Sequence, residues 1–92
     1  MDKNRELELK YFARQYDKFH NIHPDCARMQ RNAEKARQIE KAAETASTAL
    51  YPWIMENVTK GKTFEQMRVP CGRVQFYRAR SRFFNELDTL HN

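Results

Sequence analysis

The sequence predicts an all-α protein on three observations. Apolar residues recur at spacings of three and four, and no stretch alternates with the period of two that a strand requires. The composition is rich in alanine, glutamate, lysine, arginine and glutamine, all good helix formers. The two glycines and three prolines sit where helical patterns stop or start. The 92 residues, 40% hydrophobic and 32% charged, suit one small globular domain. A chain this short buries only ~60–70% of its unfolded surface, a shortfall often met by dimerisation, so a homodimer is expected.

A first helix is expected from Asp2 to about His20. Asp2 or Asn4 can cap it, and Leu9, Phe12, Tyr16 and Phe19 form one stripe that Leu7 and Tyr11 widen. The stripe reads as a core face and not as a ligand site. His20-Asn21-Ile22-His23-Pro24-Asp25 then breaks the pattern, because Pro24 disfavours a helical His23. His20, His23 and Cys26 invite a zinc reading, but no fourth ligand lies nearby, and structural zinc takes four. No metal and no cofactor is expected.

A long second helix is expected from Cys26 to about Leu50. One stripe follows Met29, Ala33, Ala36, Ala43 and Leu50, and another follows Ile39, Ala42 or Ala43, Ala46, Ala49 or Leu50, and Trp53. Small residues let a partner helix approach closely. The helix reads as a pillar in an antiparallel hairpin with the first helix, or as a dimer contact. Arg28, Arg31, Lys35, Arg37 and Lys41 interleave with Glu34, Glu40 and Glu44, which is mostly a solvated, ion-paired face. Residues 1–50 are thus a supporting or dimerising hairpin, and 51–92 the working region of one compact domain.

Pro52 ends or kinks that helix and suits the first turn of the next, whose Trp53, Ile54, Val58 and Met55 face the core. Gly61 fits the left-handed position beyond its end. Thr63 caps a short helix, about Phe64 to Arg68, with Gln66 at the capping-box position. Val69-Pro70-Cys71-Gly72 is a turn, and a last helix runs from Gly72 or Arg73 to Leu90. Its Phe76, Tyr77, Phe83, Phe84, Leu87 and Leu90 share one face; Gln75, Arg78, Arg82 and Asn85 lie opposite, with Val74 at the edge. Arg80 falls among the aromatics, where its stem packs and its guanidinium pairs, with Glu56 and Glu65 as candidate partners.

Residues 59–92 therefore carry a helix-turn-helix pattern, and the charge is concentrated there. Of the net +5, residues 1–58 hold ten Lys/Arg against nine Asp/Glu, whereas 59–92 hold seven against three. A basic reading head suits nucleic-acid phosphate. A solvated surface helix and an acidic partner are the competing readings of the same charges. There is no Gly-rich phosphate loop, nucleophile elbow or His-Glu metal motif, so no enzyme is expected. With no signal-peptide pattern, no apolar run long enough to span a membrane, and Cys26 and Cys71 read as reduced thiols, a cytoplasmic protein is expected.

Tyr51-Pro52-Trp53-Ile54, Val58-Thr59-Lys60-Gly61, Pro70-Cys71-Gly72, and Phe76-Tyr77 followed by Arg80 and Phe83-Phe84 resemble the C-terminal segment of small phage-encoded transcription regulators of the ArpU and RinA type. The resemblance covers about Tyr51 to Leu90. It implies a helix-turn-helix similar to region 4 of sigma factors, and DNA binding near phage promoters. The expected partner is double-stranded DNA, read in the major groove. Gln75 and Arg78 are the expected base contacts, with Val74 on a thymine methyl. Thr59, Lys60, Lys62, Thr63 and Arg73 would hold the backbone, and Arg82 a phosphate or the site edge. The alternatives are a protein–protein module or inhibitor using the same basic face on RNA polymerase or a host enzyme, and a small packaging or excision factor.

Overall fold

A computed structural model of the chain describes residues 2–20 and 26–91, apart from the side chains of residues 20 and 26–31. The expected linker and the side chains of the considered zinc set, His20, His23 and Cys26, lie outside the described residues. The described residues form six helices: α1 (Lys3–Arg14), α2 (Tyr16–His20), α3 (Cys26–Ala46), α4 (Tyr51–Lys60), α5 (Phe64–Met67) and α6 (Arg73–Leu90). The fold is all-α, as the periodicity predicts.

The expected first helix is two helices. Asp2 caps α1, its carboxylate accepting from the Asn4 N–H at 3.3 Å, but the helix ends at Gln15. Neither proline nor glycine marks the break; packing partners do. α1 lies against α4 and α6, whereas α2 lies against α3. The bend brings the Phe12 and Phe19 rings to 5.3 Å, and the Tyr16 hydroxyl donates to Glu40 Oε1 on α3 at 2.5 Å. Leu9, Phe12 and Phe19 are buried and Tyr16 is half-buried, but Leu7 and Tyr11 are exposed and do not widen the core stripe.

The long helix stops four residues earlier than expected. Ser47 Oγ accepts from the Leu50 N–H at 3.1 Å, a local bond that competes with helix continuation. α4 then starts with Pro52 in its first turn. Ala36, Ile39, Ala42, Ala43, Ala46 and Leu50 are buried, so both expected stripes contribute to the core face; Ala33 is half-buried and Ala49 exposed. α3 packs most extensively on α6, with α2 and α4 beside it. Of the expected first helix, α2 packs back on α3 as the expected hairpin requires, whereas α1 packs on α4 and α6, and α6 is central to the core. Phe76, Phe83 and Leu87 of α6 are fully buried with Leu9, Ile39 and Ile54. Residues 1–50 and 51–92 share this core.

Candidate nucleic-acid interface

α4 ends as its sequence requires. Gly61 adopts the left-handed conformation (φ 73°) and donates its N–H to the Asn57 carbonyl at 3.0 Å. Asn57, which the sequence reading did not single out, joins three elements. Its Nδ2 donates to the Lys62 carbonyl at 2.8 Å, and its Oδ1 accepts from Arg80 Nε at 2.7 Å. The loop between α4 and α5 is thereby tied to α6. At the head of α5, Gln66 Oε1 accepts from the Thr63 N–H at 2.9 Å, closing the expected capping box. α5 ends at Met67, one residue short of expectation, because Arg68 turns left-handed (φ 52°).

Aromatic packing sets α6 against α5. The Phe64 ring lies 5.7 Å from Phe76 and 6.5 Å from Tyr77. Arg73 Nη2 pairs with Glu65 Oε1 at 2.6 Å while its guanidinium lies 5.9 Å from both the Phe64 and Tyr77 rings. Arg80 has the structural role expected of it, but with other partners. Its guanidinium lies 4.8 Å over Phe84, bonds Asn57 and faces Glu6 at 4.0 Å. Glu56 instead faces Lys62 at 3.7 Å, and Glu65 takes Arg73. Burial pushes the Arg80 guanidinium down from its ordinary value. It remains charged, as arginine does in proteins.

Between Val74 and Asn85, the residues that α6 leaves exposed form a row without acids; the half-buried Glu86 and Asp88 follow it. Val74, Gln75, Arg78, Ser81, Arg82 and Asn85 are all exposed, Val74 at 67%. At ~100° per residue, Val74, Arg78, Ser81 and Asn85 run down the middle of this face. Gln75 and Arg82 lie on one flank, Arg73 and Tyr77 on the other. Arg73, Val74, Tyr77, Arg78 and Ser81 line a shallow open groove. Arg78 and Arg82 make no ion pair among the described residues.

The three residues expected to reach bases thus share one free surface. Of those expected on the backbone, Lys60, Lys62, Thr63, Arg73 and Arg82 are exposed. Thr59 does not belong to the set. It is 7% exposed, and its hydroxyl donates to the Met55 carbonyl at 2.5 Å inside α4. The sequence reading also missed Lys10 and Arg14, which α1 brings beside Lys62, Arg73 and Arg80. Their i, i+4 spacing shows that they share a face of α1, but nothing in the sequence says which loop that face meets.

Cys71 is a free, half-buried thiol. The described residues contain no His, Cys, Asp or Glu group arranged to hold a metal ion, and no described helix is long and apolar enough to cross a membrane. Compared with protein-family models, curated proteins and solved structures, the chain matches none.

Proposed function

We propose that this chain is a sequence-specific double-stranded DNA-binding protein, a transcription regulator of the phage or mobile-element kind, acting as a homodimer. One observation carries the reading: over residues 74–85, α6 holds in solvent an amide and two guanidiniums with no ion pair among the described residues, on a stretch without acids, while its opposite face is locked into the core. A helix fits the major groove, where arginine bonds guanine O6 and N7 and glutamine bonds adenine N6 and N7. The resemblance of residues 51–90 to regulators of the ArpU and RinA type supports the same reading. In a dimer, two such helices would meet half-sites about 34–36 Å apart.

Base readers and backbone holders separate in fluorescence anisotropy. Gln75→Ala should lose ~1–3 kcal/mol on the preferred duplex and little on random duplex. Lys62→Ala should weaken both alike and lower the salt slope by about one. Equal loss on both duplexes for Gln75→Ala would remove that residue from the reading surface.

A second reading has its own observation. Val74 and Tyr77 set exposed apolar atoms among the cations, and aromatic residues beside arginine favour protein contacts. The same face would then bind an acidic protein surface, such as one on RNA polymerase. Stoichiometric capture of purified polymerase without DNA would favour it.

A further inference from the structure

We infer that the cleft between α1, the α4–α5 loop and the first half of α6 is a seat for a phosphate group, with Lys10 and Arg14 as its principal ligands. The cleft has a volume of about 230 Å³, and Lys10, Arg14, Lys62, Arg73 and Arg80 line it against a single acid, Glu65. Three of these cations are occupied: Lys62 by Glu56, Arg73 by Glu65, and Arg80 by Asn57 and Glu6. Lys10 and Arg14 have no ion pair or hydrogen bond among the described residues. The lining therefore holds more positive charge than the fold itself uses.

Gly61 gives Arg14 its place. A Cβ at Gly61 would lie 2.5–2.6 Å from the Arg14 guanidinium, so the guanidinium lies directly against the glycine. A planar guanidinium held in this way can grip two oxygens of a tetrahedral oxyanion, and a lysine adds a mobile point charge. Tyr77 of α6 also lines the cleft. Arg73 and Tyr77 also line the open groove on the exposed face of α6, so the seat adjoins that face. A duplex gripped by α6 would run one sugar-phosphate strand along this flank. That placement rests on the DNA-binding reading; the anion chemistry of the cleft does not. The phosphate comes either from a nucleic-acid backbone or from free phosphate.

The test compares wild type with Lys10→Gln/Arg14→Gln and the charge-keeping Lys10→Arg/Arg14→Lys. Each is titrated with specific and random duplex at several salt concentrations, and with inorganic phosphate by NMR. The expected result is weaker binding of the Gln variant to both duplexes, a salt slope smaller by ~0.9, the count for one phosphate, and recovery in the charge-keeping variant. Duplex binding with unchanged affinity and slope in the Gln variant overturns the seat and leaves the DNA reading standing. If wild type binds no duplex, the DNA reading fails, and the phosphate titration decides. Saturable shifts at the Gly61 N–H and Arg14 Nε–H, lost in the Gln variant, keep the seat with free phosphate as its source; no saturable shift removes it. Circular-dichroism melts check folding, and Arg14→Gln alone, on an exposed side chain, replaces the double variant if that melts early.

Discussion

Arg80 shows how a charged side chain can belong to a core. Its guanidinium lies over Phe84 and its Nε bonds Asn57 Oδ1, so it links the end of α4 to the middle of α6. Arg80→Ala removes a charge-assisted hydrogen bond and aromatic packing together, at a cost of about 2 kcal/mol. The melting temperature should fall on the order of 10 °C; an unchanged melt would contradict the linking role. The aromatic neighbours in sequence predict a structural Arg80, but its partners come from α1 and α4 and are set by the tertiary fold. His91 makes a second residue-scale case. Its ring lies 3.8 Å from Phe12, and burial, reinforced by the Arg5 and Lys35 charges, holds the imidazole below its ordinary value of 6.5. As pH falls through 6.5 the unfolded chain takes the proton first, so the contribution of this residue to stability is present at neutral pH and declines in mild acid. The urea midpoint should drop between pH 7.5 and 5.5, and by less in His91→Gln. An equal drop in both proteins would assign the dependence to other groups.

At the scale of elements, the boundaries legible in the sequence are those with a local chemical cause. Asp2, Pro52, Gly61 and the Thr63–Gln66 box each start or stop a helix where the sequence indicates. The break at Gln15 has no such cause, because it arises where α1 and α2 meet different partners. The early end of α3 is intermediate: Ser47 supplies the competing bond, but an alanine-rich run conceals it. Gly61 is the most demanding of these positions. Gly61→Ala puts a side chain at a φ of 73° and displaces the Arg14 guanidinium. The cost should be about 1 kcal/mol, seen as a lower melting temperature. Gly61→Asn should cost less, because asparagine tolerates the left-handed region. Equal melts for wild type and Gly61→Ala would mean that the loop relaxes without loss.

At the scale of the whole molecule, the fold places a buried aromatic ridge and a solvent-facing basic row on opposite sides of one helix. The buried side of α6 meets α1, α3 and α4, so the N-terminal helices act as the mount that orients the exposed row. Most of the row on α6 was legible because a helix of known phase displays its residues in a fixed order, although Ser81 was not singled out and Val74, expected at the edge, lies in the middle. The basic cleft beside it was not, since three helices, α2, α3 and α4, separate Lys10 and Arg14 from Gly61 in the chain. The claim that this row reads sequence can be put to selection from a random duplex pool. Wild type should enrich one short motif, and Gln75→Ala/Arg78→Ala should lose that enrichment while keeping salt-sensitive binding to the unselected pool. Binding without enrichment of any motif, or the same motif from both proteins, would contradict the claim.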